Sequence, residues 1–170
     1  LQAILEDYGI IVTRRDKVSL LKQLNSFLIE EIKHGNNVVL IIDEAQNLKN
    51  SILEEIRMLS NLETDKDKLF QIILVGQPEL KDKLASSSLR QLRQRISVRF
   101  HITPLDKNEV ADYINHRLSV AGSTGQIIFT SDALEEIYNF SEGVPRLINM
   151  VCDKSMLTAY VMETRQIDAS

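Results

Sequence analysis

The stretch Val38–Asn47, VVLIIDEAQN, constrains the fold of this chain most. Five branched aliphatic residues follow one another without a polar break and then meet two adjacent carboxylates, Asp43 and Glu44. Such residues favour a strand, and an unbroken apolar run is typical of a strand covered on both faces in a parallel sheet. Ligands in open α/β sheets bind beyond the carboxyl ends of the strands, which is where the two carboxylates fall.

The two carboxylates form the pattern of a Walker B motif. Because side chains alternate along a strand, Asp43 and Glu44 are predicted to point in different directions and to serve two roles at one site. Asp43 would hold Mg²⁺, mostly through water, since this ion gives up its hydration shell reluctantly. Glu44 would polarise the water that attacks the terminal phosphate of ATP. The alternative is an acidic strand end that only begins a surface loop.

Composition limits the class of protein. A chain of 170 residues, 44% hydrophobic and 26% charged, suffices for one compact α/β unit or for a core with a small appended lobe. The net charge of −4 argues against a wholly basic nucleic-acid-binding surface. A single cysteine excludes an internal disulfide, and no apolar stretch approaches the ~20 residues of a membrane span. Together these features indicate a cytoplasmic location.

A second strand is expected at Phe70–Val75, which is again largely apolar. The segment between the strands contains a helix, with Ser51 and Glu54 as a capping box, and an exposed charged loop at 65–68. Strand, helix and strand in this order predict a parallel crossover. The end of the first strand and Gly76-Gln77 at the end of the second should therefore lie on one edge of the sheet.

Polar residues after the second strand allow two interpretations. Gln77 either orients water or touches a phosphate, or it belongs to a simple turn before a short helix. Arg90, Arg93 and Arg95 are either phosphate ligands or a solvated helix face. The alternating segment Val98–Ile102 predicts a half-buried edge strand.

From Leu105 onward the pattern predicts helices, joined at Ser123–Phe129 by a connector with a short extended stretch. Asp106 with Glu109 is a capping box, Ser131 is a candidate cap, and Pro145 suits the first turn of a last helix. That helix is expected to be mostly buried, and the tail after Thr164 to be loose. The members of its buried stripe include Cys152, Leu157 and Tyr160, with the cysteine as a core residue rather than a nucleophile.

The order of these motifs resembles the second half of an AAA+ ATPase. The phrases that carry the resemblance are VVLIIDEAQNL, IILVGQPEL, LRQRI and GVPRLIN, and they most resemble the general secretion pathway protein A family. Transposition accessory ATPases and pilus-biogenesis ATPases look similar. The resemblance implies a P-loop NTPase-like α/β core with a parallel sheet and helices on both faces, over residues 1–104. A small all-helical lid would follow over residues 105–170.

The resemblance also implies roles for matching residues. Asp43 and Glu44 match Walker B, and Gln77 occupies the sensor 1 place, where Asn or Thr is commoner in the superfamily. Arg95, with Arg93 as the alternative, matches the arginine finger that reaches the nucleotide of a neighbouring subunit. Arg146 in GVPR matches sensor 2, on the helical lid over the nucleotide. An arginine supplied in trans requires head-to-tail self-association.

One departure from the family pattern concerns the phosphates. The first 37 residues contain no Gly-rich turn followed by Lys and Ser or Thr, so a Walker A loop is absent from this sequence. In the family that loop lies upstream of the matching region. We therefore expect a fragment that lacks the first strand, the phosphate loop and its helix. The parent would hydrolyse ATP with Mg²⁺, whereas the fragment would bind nucleotide poorly.

Three functions follow as hypotheses. The parent converts ATP hydrolysis into assembly of a type II secretion or related envelope machine, with an envelope partner protein and membrane contact only through parts outside this chain. Alternatively, it is an ATP-dependent DNA-binding accessory ATPase of the transposition or replication type, which the acidic balance disfavours. The third hypothesis is a non-hydrolysing AAA+-like scaffold, which only the missing phosphate loop supports.

Overall fold

The computed structural model describes residues 1–62 and 69–169. The loop expected at 65–68 thus lies outside the described residues. The chain divides into two compact units, Leu1–Arg99 and Phe100–Ser170. The sequence placed a boundary after residue 104, and the assignment of the two parts to a nucleotide-binding core and a lid stays a prediction.

The first unit combines helices with a short parallel sheet. Two 3-10 turns, Ala45–Asn47 and Ser87–Leu89, interrupt its loops. Its helices and strands are, in chain order, α1 Gln2–Asp7, α2 Lys17–Lys33, β1 Val38–Ile42, α3 Asn50–Leu59, β2 Phe70–Leu74, α4 Glu79–Ala85 and α5 Arg90–Arg95.

The strand pairing follows the sequence prediction. β1 and β2 are parallel, with Val38 opposite Phe70 and Ile42 opposite Leu74, and α3 lies between them in the chain. The pairing continues past both strands, because the Val75 amide donates to the Ile42 carbonyl at 2.9 Å. The parallel crossover is therefore confirmed.

Helices cover one face of this sheet. Val38, Leu40 and Phe70 point inward and belong to one buried cluster with Leu24 and Leu28 of α2. A second cluster packs against the same face near the strand ends. Its buried members, from α3, the second 3-10 turn and α5, are Leu53, Ile56, Leu89 and Leu92. Apolar residues of β1 and β2 thus join two buried clusters on one side of the sheet.

The other face, here called the open sheet face, is formed by Val39, Ile41, Ile73 and Val75. These side chains are 38–63% exposed. The sequence predicted a strand covered on both faces, and in the described residues only one face of β1 is covered. The buried residues of α1, α2, α3 and α5 cluster with the side chains of the opposite, covered face. Parallel sheets with two apolar faces are normally covered on both.

Two local predictions for segments before residue 105 are wrong. Val98–Ile102 forms no strand, and Phe100 in its middle is 88% exposed, since no described strand lies beside it to accept its backbone hydrogen bonds. Ser51 does not cap α3, because the N-cap position is taken by Lys49, two residues earlier, and Ser51 lies inside the helix. Glu54 instead bonds Arg57 on the same helix, Oε2 to Nε, at 2.7 Å.

The second unit packs three helices around its own core. Val110, Ile114, Ile137, Ile148 and Cys152 form the main buried cluster. Its elements are α6 Lys107–Val120, β3 Ile128–Phe129, α7 Ser131–Ser141, α8 Pro145–Val161 and β4 Gln166–Ile167.

Helix starts in this unit largely match the sequence. Asp106 and Glu109 form the predicted capping box of α6, and Pro145 is in the first turn of α8. Thr130, and not Ser131, holds the N-cap position of α7. Cys152 is buried, and burial, with a smaller contribution from Asp153, raises the pKa of its thiol to about 11. Its prediction as a core residue is confirmed.

Two expectations about the end of the chain are wrong. Leu157 and Tyr160 are 65% and 80% exposed, because the buried side of α8 is set by Ile148 and Cys152, four residues apart. The tail is not loose, since β4 pairs in parallel with β3 and Ile167 is buried. The unit is therefore not purely helical. Within residues 1–62 and 69–169, no helix has the length and apolar character of a membrane span.

Gly143 provides a stability test of the second unit. Its φ is +77°, its carbonyl accepts the Leu105 amide at 3.0 Å, and an added Cβ would lie 1.9 Å from the Leu105 carbonyl oxygen. We expect Gly143→Ala to lower the free energy of unfolding by about 3–5 kcal/mol, since overlap with backbone adds to the left-handed φ. Gly122, with φ +88° and open space around it, is the matched control, and Gly122→Ala should cost about 1–2 kcal/mol. Denaturant unfolding of both variants measures the difference, and equal losses would contradict this account.

Candidate functional site

The ends of β1 and β2 meet, as the sequence predicted. After Ile42 the chain continues into Asp43 and Glu44, and the Ala45 amide donates to the Val75 carbonyl at 2.9 Å. Gly76 and Gln77 follow directly on the neighbouring strand. Both polar segments therefore lie at one edge of the sheet.

Asp43 is exposed at the end of β1. Its Oδ1 accepts the backbone amide of Glu44 at 2.7 Å, which orients the carboxylate. Mg²⁺ typically keeps several waters and takes one or two protein carboxylates, with the remaining ligands from substrate phosphates. A single oriented, solvent-facing carboxylate fits that mode of binding.

Glu44 departs from the strand geometry expected for it. β1 ends at Ile42, and Glu44 has φ 52° and ψ 34°, a left-handed conformation that is uncommon for residues other than glycine. Alternation along a strand therefore does not set its direction. Hydrogen bonds set it instead, because Glu44 Oε2 accepts Gln46 Nε2 at 2.6 Å and Asn47 Nδ2 at 3.4 Å.

Gln46 connects the two strand ends through its side chain. It is half-buried in the 3-10 turn, and while its Nε2 donates to Glu44, its Oε1 accepts the backbone amide of Gln77 at 3.2 Å. The side chain of Gln77 is exposed and makes no hydrogen bond with the described residues. Gln77 thus contacts the site through its backbone amide and also lies at the same edge of the sheet.

Lys83 holds the turn that carries Gln46. From α4 its ammonium group donates to the carbonyls of Gln46 at 2.7 Å and of Leu48 at 2.5 Å. Lysine donates but cannot accept, so two carbonyl oxygens are suitable partners for its half-buried nitrogen. The turn is therefore fixed from the side of α4.

The structure distinguishes the two candidate arginines of α5. Arg93 is half-buried, and its Nη1 donates to the Ala85 carbonyl at the end of α4 at 3.1 Å. Arg95 is exposed, and its guanidinium makes no hydrogen bond or ion pair within the described part of the chain. Arg95 is thus available to an external anion, whereas Arg93 has a structural partner. Arg90 is also exposed.

Arg146 lies in the second unit. It is exposed in the first turn of α8, directly after Pro145. The preceding turn is fixed by the bond between Gly143 and Leu105.

Sequence reasoning missed Gln46 and Lys83. The signal for Gln46 is its place within VVLIIDEAQN, two residues after Glu44. Nothing in the spacing indicates that Lys83 reaches back over 35 residues to a carbonyl of the turn. Both residues act through hydrogen bonds between segments distant in sequence.

Comparison with known proteins identifies relatives of the chain. Residues 1–84 match the family model described as AAA domain. General secretion pathway protein A of Aeromonas hydrophila is 40% identical over 168 residues, covering 98% of this chain and 30% of that protein. An uncharacterised HTH-type transcriptional regulator of Methanocaldococcus jannaschii is 31% identical over 147 residues, covering 84% of this chain and 35% of the relative. The chain therefore spans well under half the length of these two relatives.

A solved structure shares the fold. Cdc6p from Pyrobaculum aerophilum matches with a TM-score of 0.64 at 19% identity, over 98% of this chain and 45% of that one. At this identity the likeness concerns the fold alone. With the AAA match, it confirms the P-loop NTPase-like fold of AAA+ type that the motifs predicted.

The conformation of Glu44 yields a stability prediction for the site. Glu44→Ala and Glu44→Gly both remove the bonds to Gln46 and Asn47, but only glycine adopts the left-handed conformation without a steric cost. We expect the free energy of unfolding of the glycine variant to be about 1 kcal/mol higher than that of the alanine variant. Denaturant titration of the two proteins measures this. A less stable glycine variant would show that the backbone here relaxes out of its left-handed conformation.

Proposed function

We propose that this chain, which belongs to the AAA-type ATPases, forms part of the ATP-hydrolysing core of a longer protein. The observation that carries the proposal is the pair of carboxylates at the end of β1, beside the end of β2. Asp43 is oriented by a backbone amide, and Glu44 by two side-chain amides. Both carboxylates are thereby held at the strand end, which is where ligands of open α/β sheets bind.

The two carboxylates divide the chemistry. Asp43 would hold the waters around a Mg²⁺ ion, and the ion would neutralise charge on the phosphates of ATP. Glu44 would accept a hydrogen bond from the attacking water and take its proton as the water oxygen bonds to the γ-phosphorus. The bond from that phosphorus to the bridging oxygen would break in the same displacement, and ADP would leave. Gln77, at the end of the adjacent strand, would contact that water or the γ-phosphate.

The arginines would complete the site from other places. Arg95 is exposed and lacks a partner within the described residues, as a residue that reaches the nucleotide of a neighbouring subunit must. We assign Arg93 to support of α4 instead, because it already bonds Ala85. Arg146 would contact the nucleotide from the lid. An in-trans arginine implies a head-to-tail assembly that closes as a ring or extends as a filament.

The open sheet face supports the proposal that further chain completes the core. Val39, Ile41, Ile73 and Val75 expose an apolar surface on a parallel sheet, and such sheets are normally covered on both faces. We propose that a segment of the parent with a Walker A loop covers this face and supplies the phosphate contacts. The chain alone would then bind ATP poorly.

For the biological role we favour a secretion function on the cytoplasmic side of a bacterial inner membrane. The support is the 40% identity to general secretion pathway protein A. ATP hydrolysis would power assembly of a type II secretion or related envelope machine through a partner protein. A second candidate is an ATP-dependent DNA-binding protein, which the name of the HTH-type relative favours. Salt-dependent DNA binding by the parent would distinguish the second from the first.

The role of Glu44 predicts a specific loss of turnover. In the full-length parent, Glu44→Gln should lower ATP hydrolysis by about 10²–10⁴-fold, because an amide cannot take the proton, while ATP binding persists. Phosphate release and binding of a fluorescent ATP analogue measure the two properties. Glu79→Gln, an exposed glutamate of α4, is the matched control and should leave both unchanged. Unchanged turnover in Glu44→Gln would refute the assignment.

The in-trans role of Arg95 predicts complementation. Arg95→Ala should lower turnover by about 10³–10⁵-fold. Mixing it with Glu44→Gln subunits should restore part of the activity, because some interfaces then pair an intact Glu44 with an intact Arg95. Arg93→Ala should lower thermal stability instead, through loss of the Ala85 bond. Mixtures as inactive as the single variants would place Arg95 outside the site or within its own subunit's site.

A further inference from the structure

We propose that Gln46 is a positioning residue that holds the Glu44 carboxylate and ties it to the end of β2. The inference rests on the proposed ATPase function. It adds a residue to the reaction that acts through Glu44 rather than on the substrate. It also gives a physical route by which a shift of Gln77 reaches Glu44.

The amide of Gln46 is used at both of its ends. Nε2 donates to Glu44 Oε2 at 2.6 Å, and Oε1 accepts the Gln77 backbone amide at 3.2 Å. A primary amide is the side-chain group that donates at one atom and accepts at the other in a fixed plane. One side chain thus joins a carboxylate on the first strand end to the backbone of the second.

The backbone around Gln46 is itself fixed. Lys83 bonds the Gln46 carbonyl at 2.7 Å, and the Ala45 amide bonds the Val75 carbonyl at 2.9 Å. Ala45, the first residue of the turn, is fully buried. The backbone of Gln46 is therefore fixed by hydrogen bonds, and the position of its side-chain amide is fixed by the bonds at both of its ends.

Gly76 provides the space that this arrangement needs. A Cβ added at Gly76 would lie 2.5 Å from Gln46 Oε1, closer than such contacts occur. A side chain at this position would therefore push the Gln46 amide away from the place where it accepts the Gln77 amide. The observation is independent of the hydrogen bonds to Glu44.

The arrangement has a consequence for Glu44. Both of its hydrogen bonds go to Oε2, and within the described residues Oε1 makes none. The Gln46 amide thus occupies one oxygen and leaves the other for a water. When Gln77 moves, the Gln46 amide moves with it, and the position of Glu44 Oε1 relative to the attacking water changes. Small displacements of a catalytic group lower kcat strongly, while the contacts that bind ATP are unchanged.

The test uses the full-length parent and separates turnover from binding. Gln46→Leu removes both bonds, and we expect kcat to fall on the order of 10²-fold while KM for ATP and the affinity for ATP stay within about twofold. Gly76→Ala displaces the same amide without changing Gln46 and should lower kcat in the same way. The matched control is Gln2→Leu, which removes an amide-to-carboxylate bond of 2.8 Å to Glu6 in α1 and should leave kcat unchanged.

A double variant tests whether Gln46 acts through Glu44. In the Glu44→Gln background, Gln46→Leu should cause no further loss of kcat, because residues that act as a unit are not additive. A second loss of full size, an unchanged kcat in Gln46→Leu, or a change confined to KM would overturn the inference. Glu44→Gln alone reports on the proposed function: if that variant keeps full turnover, the ATPase assignment fails, whereas a loss there with normal Gln46→Leu kinetics refutes only the role of Gln46.

Discussion

The parallel pairing of β1 with β2 is the interaction on which the site depends. Register alone places the residues after Ile42 beside those after Leu74, and the backbone bonds of Val75 and Ala45 carry the alignment past the strands. Two loops separated by 31 residues thereby come within reach of one side chain, Gln46. The helices on the covered face of the sheet hold this register, because Val38, Leu40 and Phe70 all contribute to the buried cluster there.

Much of the fold could be predicted from the sequence because hydrophobic patterns report burial directly. The runs at Val38 and Phe70 gave both strands and their parallel order, and Asp106 with Glu109 gave the start of α6. The secondary structure was predicted wrongly where a segment also depends on a neighbouring element. Val98–Ile102 alternates as a strand does, but a strand also needs a neighbour for its backbone, and the described residues offer none.

The candidate site was predictable in its members and less so in its geometry. Asp43, Glu44 and Gln77 lie together because strand ends meet, which topology implies. The left-handed backbone of Glu44 and the bonds of Gln46 and Lys83 depend on distances between separate segments, and no spacing in the sequence contains them. The difference between Arg93 and Arg95 likewise arises from one contact with Ala85.

The open sheet face also bears on how the isolated chain behaves in solution. The uncovered face of this parallel pair is an apolar surface that favours association. The outer edges of the two strands also carry backbone groups that can pair with another strand. Val39, Ile41, Ile73 and Val75 are therefore a natural place for copies to associate when nothing else covers them. Such association grows with protein concentration and with salts that strengthen apolar burial, such as sulfate. The solubility of this chain is thus tied to the same surface that the core needs for its completion.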